Sequence, residues 1–137
     1  MNKKVWLGAL VVFIVLEILM FLVDGVILSG AFRAVAGVFR PDMGSRMWMY
    51  HVINVFNAFF FTFIFSKGYE KKGILEGVRY GFYIGVWLSI GMALGTDAMI
   101  AIGRSLTIQW FIYGVIEYVI AGAVLAMVFK EKAKPAA

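Results

Sequence analysis

Long apolar runs separated by short polar segments divide the chain into four parts. A helix needs about 20 apolar residues to cross a hydrocarbon core about 30 Å thick, and each run is about that long. The runs do not alternate with the period of two that marks a strand, and a spanning sheet must close into a barrel. The pattern therefore predicts an all-α membrane protein whose transmembrane helices cover residues 5–28, 47–65, 80–102 and 106–129.

The connection between the first two predicted helices carries its own amphipathic pattern. Arg33 and Arg40 share a face, and the adjacent face is apolar at helical spacing, formed by Phe32, Val35, Ala36 and Phe39. We predict a short interfacial helix over residues 31–40 that ends before Pro41. It is interpreted as a connector lying at the lipid headgroups, with a docking surface for a partner as the alternative.

Short connections elsewhere predict an up-down-up-down antiparallel bundle that forms a single transmembrane domain over residues 1–137.

Small residues recur at every fourth position from the second polar loop into the third predicted helix. Close approach of two backbones drives helix association in lipid, and only small side chains permit it. The stripe predicts tight packing against the fourth helix within one chain, with contact between two chains as the alternative. The residues are Gly73, Gly77, Gly81, Gly85, Ser89 and Ala93 on the third helix, and Gly114, Gly122 and Ala126 on the fourth.

Composition agrees with this class of protein. Of the 137 residues, 63% are hydrophobic and 15% are charged, and the mean hydropathy is +0.90. No cysteine is present, which excludes disulfides and thiolate metal sites. The first apolar run resembles a signal peptide, but it is about twice the usual length and contains Glu17, so we predict an uncleaved anchor.

Basic residues are distributed unequally between the two ends of the predicted helices. Nine lie on the side that holds both termini, and four lie on the other side. The positive-inside rule places both termini in the cytoplasm. Since the charge of +5 is concentrated at helix ends, we predict no nucleic-acid partner. The nine are Lys3, Lys4, Lys67, Lys71, Lys72, Arg79, Lys130, Lys132 and Lys134, and the four are Arg33, Arg40, Arg46 and Arg104.

Polar residues inside the apolar runs are the candidate functional residues. Glu17 and Asp24 are seven residues apart, hence about 20° apart around a regular helix, and are expected to share a face. Glu17, Asn57 and Glu117 lie near the midpoints of their helices, and a second polar layer lies further out. The predicted intramembrane cluster comprises Glu17, Asp24, His51, Asn54, Asn57, Gln109, Tyr113 and Glu117.

Ionisable groups at this depth cost on the order of 3 kcal/mol each and normally face the bundle interior. Three interpretations stay open: neutral acids that hold the bundle together by hydrogen bonds, a proton or cation pathway or small-ligand pocket, and contact with a partner subunit. His51 is the only histidine, which excludes a bis-histidine haem within one chain and makes a poor metal site. We predict no metal and no cofactor.

The runs IFSKGYEKKGILEGVRYGFYIGV and QWFIYGVIEYVIAG resemble a family of uncharacterised small bacterial membrane proteins with four predicted helices. In that family a Lys-Gly-Tyr-Glu pattern precedes a glycine-rich helix. The resemblance implies a bacterial inner-membrane location and carries no reaction, substrate or cofactor.

No catalytic motif is present, so we predict a protein that is not an enzyme. The first hypothesis is an accessory or structural subunit of a membrane complex, whose partners are the lipid bilayer and either another membrane subunit or a second copy of the chain. The second is a small homo-oligomeric transporter or channel for protons, cations or a small solute. The third is an intramembrane lipid- or quinone-binding protein.

Overall fold

The computed structural model describes residues 2–130, and within this range all regular secondary structure is helical. Lys132 and Lys134, which contribute to the predicted charge asymmetry, lie outside the described residues. The α-helices are α1 (Lys3–Leu22), α2 (Ser29–Ala34), α3 (Trp48–Lys67), α4 (Ile74–Met99) and α5 (Arg104–Phe129).

Four helical segments are long and apolar enough to cross a membrane: Lys3–Ile27, Met43–Lys67, Ile74–Met99 and Arg104–Phe129. The first consists of α1 and a π-helical segment, Val23–Ile27, that continues it. The second is α3 with the 3-10 turn that precedes it. The prediction of an all-helical protein with four helices of this kind is confirmed.

The connection between α1 and α3 contains α2 and a 3-10 turn, Ala36–Val38. The ring of Phe32 in α2 packs edge-on against Trp110 of α5, with 5.5 Å between the ring centroids. Further along, Asp42 accepts hydrogen bonds from the Nε atoms of Arg40 and Arg46, at 2.9 and 2.8 Å. These two bonds hold the pKa of the exposed Asp42 carboxyl below its usual value. A location of this connection at the headgroups stays a prediction.

The spanning helices are antiparallel to their neighbours. Lys4 Nζ at the start of α1 donates to the carbonyl oxygen of Phe129 at the end of α5, at 3.3 Å. The rings of Phe61 in α3 and Tyr80 in α4 lie 4.7 Å apart. Backbones pack closely between α4 and α5, between α1 and α3, and between α1 and α5. In the described part of the chain, α3 and α4 are not packed in this way, and side chains fill the space between them.

The closest helix contact joins α4 to α5 at glycine residues. A Cβ atom built on Gly77 would collide with the carbonyl oxygen of Gly122, and one built on Gly81 would collide with the carbonyl oxygen of Tyr118. The predicted stripe therefore lies against α5 of the same chain. Gly73 is an exception, because it has no neighbour within 4 Å of the Cβ position. It precedes α4 with a φ of +85°, so its role is to turn the chain.

Two hydrophobic clusters occupy the ends of the bundle. The first lies near the N-terminus of α1, with Phe61, Tyr118 and Leu125 at its centre. The second lies near the α4–α5 connection and includes Leu106 and Trp110. The space between the two clusters contains the polar residues described below.

The contact at Gly81 is testable by the smallest possible substitution. Gly81→Ala should lower the free energy of unfolding by about 1–3 kcal/mol, because the added methyl meets backbone atoms that cannot move away. The matched control is Gly91→Ala in the same helix, where no atom lies within 4 Å of the Cβ position. The control should be neutral or more stable by up to about 1 kcal/mol, since alanine is the better helix former. Unfolding by denaturing detergent measures both, and equal effects would contradict the close contact.

Candidate functional site

The predicted polar cluster divides into two groups in the structure. In the first group, Glu17 of α1 binds two side chains of α3. Its Oε2 lies 2.7 Å from His51 Nδ1, and its Oε1 accepts a hydrogen bond from Asn54 Nδ2 at 2.8 Å. Both carboxylate oxygens thus have partners. This group joins α1 to α3.

The second group surrounds a cavity of about 230 Å³ that is lined by residues of all four spanning helices. Its apolar wall includes Leu16, Met20, Leu88 and Met92. Within the described chain, no lysine, arginine or histidine lines it. The polar and aromatic lining residues are Asp24, Tyr50, Asn54, Asn57, Ser89, Trp110, Glu117 and Tyr118.

Asp24 reaches this cavity from the π-helical segment. The N–H of Leu28 donates to the carbonyl oxygen of Val23 at 2.7 Å, which is an i→i+5 bond of a widened turn. Asp24 is the second residue of this widened turn. Glu17 binds His51 and Asn54 of α3, whereas Asp24 lines the cavity. Asp24 Oδ1 is buried there and has no hydrogen-bond partner.

Glu117 lines the cavity from α5, together with Asn57 of α3. Sequence position places Glu17 and Glu117 at similar depths, but the two carboxyl groups do not line a common space. Glu117 shares the cavity with Asp24 instead. The site therefore contains two carboxyl groups and no basic side chain to balance them.

Gln109 and Tyr113 lie outside the cavity. The Nε2 of Gln109 donates to Ser105 Oγ at 3.1 Å, and Tyr113 packs against the hydrophobic cluster around Trp110. The reason is helical geometry: on a regular helix, Gln109 and Tyr113 lie about 125° and about 85° from the centre of the face that lines the cavity.

Tyr50, Ser89, Trp110 and Tyr118 line the cavity but were not in the predicted cluster. Ser89 was assigned to the packing stripe, and Tyr50 and Trp110 lie near the ends of predicted helices, where aromatic residues normally belong to the membrane interface. One signal was available, because Trp110, Gly114, Glu117 and Tyr118 follow the i, i+4, i+7, i+8 spacing of a single helix face.

The cavity opens sideways, between α3 and α4. The most exposed of its lining residues are Ile53 at 48%, Met92 at 42% and Tyr50 at 38%. Two of these belong to α3 and one to α4, the pair of helices without close backbone packing.

Among the described residues, no group of three or more histidine, cysteine, aspartate or glutamate side chains is arranged to hold a metal ion.

No protein-family model, curated protein or solved structure matches this chain.

The different environments of Glu17 and Asp24 predict opposite effects of the same substitution. Asp24→Leu should raise the free energy of unfolding of the empty protein by about 1–2 kcal/mol, because it removes a buried oxygen that has no partner. Glu17→Leu should lower it by about 1–3 kcal/mol, because His51 and Asn54 lose their hydrogen-bond partner. Thermal unfolding followed by circular dichroism in one detergent compares the two variants. A change of the same sign in both would show that the two acids are equivalent.

Proposed function

We propose that this small membrane protein is a transporter that binds a small amphipathic cation in the cavity between its four spanning helices. The observation that carries the proposal is Asp24 Oδ1, a buried carboxyl oxygen that faces the cavity region without a hydrogen-bond partner. Buried polar atoms are nearly always paired, so a carboxyl oxygen that no group of the protein satisfies is expected to find its partner in a ligand.

Charge favours a cation over other ligands. Asp24 and Glu117 both line the cavity, and no described basic side chain does. Taking a carboxylate out of water without a counter-charge is costly, and a bound cation supplies the missing charge. Asn54 and Asn57 contribute amide groups that can orient a polar ligand.

The aromatic lining and the sideways opening favour a cation that also has an apolar part. Tyr50, Trp110 and Tyr118 present rings to the cavity, and aromatic faces attract cations, most strongly where water is excluded. The walls formed by Met20 and Met92 suit an apolar group of varied shape. Entry between α3 and α4 selects a solute that first dissolves in the bilayer.

Transport requires a path beyond the cavity. Towards the end that holds the N-terminus, the rings of Phe61, Tyr80 and Tyr118 close the space: Phe61 lies 4.7 Å from Tyr80 and 5.5 Å from Tyr118. Tyr80 Oη also donates to the carbonyl oxygen of Phe61 at 2.5 Å, which fixes this closure. We infer that the solute passes along the side-chain contact between α3 and α4 when these rings move.

Hydrogen-bonded acids that serve only to hold the bundle together would have all their oxygens paired. The Glu17 group meets that description. The cavity group does not, and for this reason transport is preferred to the accessory-subunit hypothesis.

The test uses benzyltrimethylammonium, a small aromatic cation, and the purified chain in mild detergent. Isothermal titration calorimetry should show binding that is weakened at least about tenfold by Asp24→Asn and by Glu117→Gln, because each removes a charge that faces the ligand. Asp97→Asn is the matched control: it alters an acid of α4 that does not line the cavity and should leave the affinity within about twofold.

Neopentylbenzene, which has the same shape without the charge, should bind at least tenfold more weakly than the cation. Equal binding of the two compounds, or equal effects of the three substitutions, would overturn the cation site. In liposomes, the wild-type chain should take up benzyltrimethylammonium and Asp24→Asn should not. Binding without uptake would indicate a protein that binds the ligand but does not transport it. The accessory-subunit hypothesis would then be preferred.

A further inference from the structure

The side chain of Asn54 belongs to both polar groups of the bundle. Its Nδ2 donates a hydrogen bond to Glu17 Oε1 at 2.8 Å, and the same residue lines the cavity that contains Asp24 and Glu117. Glu17 and His51 are not among the lining residues of this cavity. Asn54 therefore connects the Glu17 group to the cavity.

The direction of this hydrogen bond fixes the orientation of the Asn54 amide. A carboxylate only accepts hydrogen bonds, so Glu17 requires an N–H from Asn54 rather than its carbonyl oxygen. The same Nδ2 lies 3.7 Å from the sulfur of Met20, a second acceptor on α1. The N–H edge of the amide is thus turned towards α1, and the carbonyl oxygen, Oδ1, lies on the other edge.

Glu17 is itself held in place. Its second oxygen, Oε2, lies 2.7 Å from His51 Nδ1. His51 and Asn54 are three residues apart on α3, a spacing that puts two side chains on the same face of a helix. A planar carboxyl group that is bonded at both oxygens cannot turn away from Asn54 without also losing its contact with His51.

The other edge of the Asn54 amide is the one available to the cavity. Asn54 is only 9% exposed, and in the described part of the chain its Oδ1 has no hydrogen-bond partner. An amide oxygen accepts hydrogen bonds from a ligand's N–H or O–H groups. Asn54 therefore adds a neutral acceptor to the two carboxyl groups of Asp24 and Glu117.

We propose that Glu17 and His51 are positioning residues that hold the Asn54 oxygen towards the cavity, so that the cavity prefers protonated amines to quaternary ammonium ions. This inference rests on the proposed function and narrows its substrate class. A protonated amine is attracted by the two carboxyl groups and has an N–H to donate to Oδ1. A quaternary ammonium ion has the charge but no N–H, and hydrogen bonds from a charged donor are the stronger ones.

The test compares two isomeric cations by isothermal titration calorimetry of the purified chain in mild detergent at neutral pH. N-Ethyl-N-methylbenzylammonium carries one N–H, whereas benzyltrimethylammonium has the same atoms and the same charge without an N–H. Wild type should bind the first cation at least about fivefold more tightly, the effect of one hydrogen bond. Equal affinities would overturn this inference and leave the cation site intact. If neither cation bound, the proposed function would fail as well.

Two substitutions test where the preference originates. Asn54→Leu removes the amide, and the ratio of the two affinities should fall at least about threefold. Glu17→Gln should lower the ratio at least about twofold, because glutamine can donate as well as accept and no longer requires an N–H from Asn54. Gln109→Leu is the matched control for the lost amide. Gln109 donates to Ser105 and does not line the cavity, so its loss should leave the ratio within about twofold of wild type.

A wild-type ratio in Asn54→Leu would overturn the role of Asn54, and a wild-type ratio in Glu17→Gln would overturn the role of the positioning residues. Circular dichroism establishes that each variant has folded. The ratio is measured within one protein, so a general loss of stability, which lowers both affinities together, does not change it. Either variant is sufficient to contradict the inference if the other does not fold.

Discussion

Where α4 crosses α5, the peptide groups of Gly77 and Gly122 meet with no side chain between them. This contact determines how much room the other helices have. α3 is rich in phenylalanine and packs on α1, so it reaches α4 through side chains such as those of Phe61 and Tyr80. Further along the same stripe, Ser89 and Gly114 also touch across the α4–α5 contact, and both line the cavity. The small residues that bring α4 and α5 together thus leave space beside α3.

Periodicity along the chain was sufficient to predict the helical class, the number of spanning segments and which residues of α4 are small. These features depend on one helix at a time or on a pattern that repeats along it. The partners of Glu17 depend instead on how α1 is rotated relative to α3, and no local pattern specifies that rotation. The widened turn that begins at Val23 is likewise specified by no local pattern of the sequence. Tyr50 and Trp110 were missed because aromatic residues near helix ends are normally interface residues.

The carboxyl groups of Glu17 in α1 and of Asp24 in the π-helical segment that continues it differ in their surroundings. Glu17 is fully satisfied by neighbours and contributes to the cohesion of α1 and α3. Asp24 is left incomplete at the point where the helix departs from regular geometry. Departures from regular structure and from complete hydrogen bonding coincide at functional sites more often than elsewhere. Their coincidence at Asp24, and not at Glu17, distinguishes the two carboxyl groups by structure where composition could not.

The opening between Ile53 and Met92 has a consequence for how affinity at the cavity is to be understood. On the entry route proposed above, the solute comes from the acyl-chain region, so its local concentration would be fixed by partitioning between water and lipid before it meets any side chain. Each added methylene favours the lipid phase by about 0.8 kcal/mol, or roughly fourfold in concentration. Across a homologous series, occupancy measured against the aqueous concentration would follow lipid solubility even if the contacts inside the cavity were identical. The bilayer would then act as the first stage of selection, and the carboxyl groups as the second.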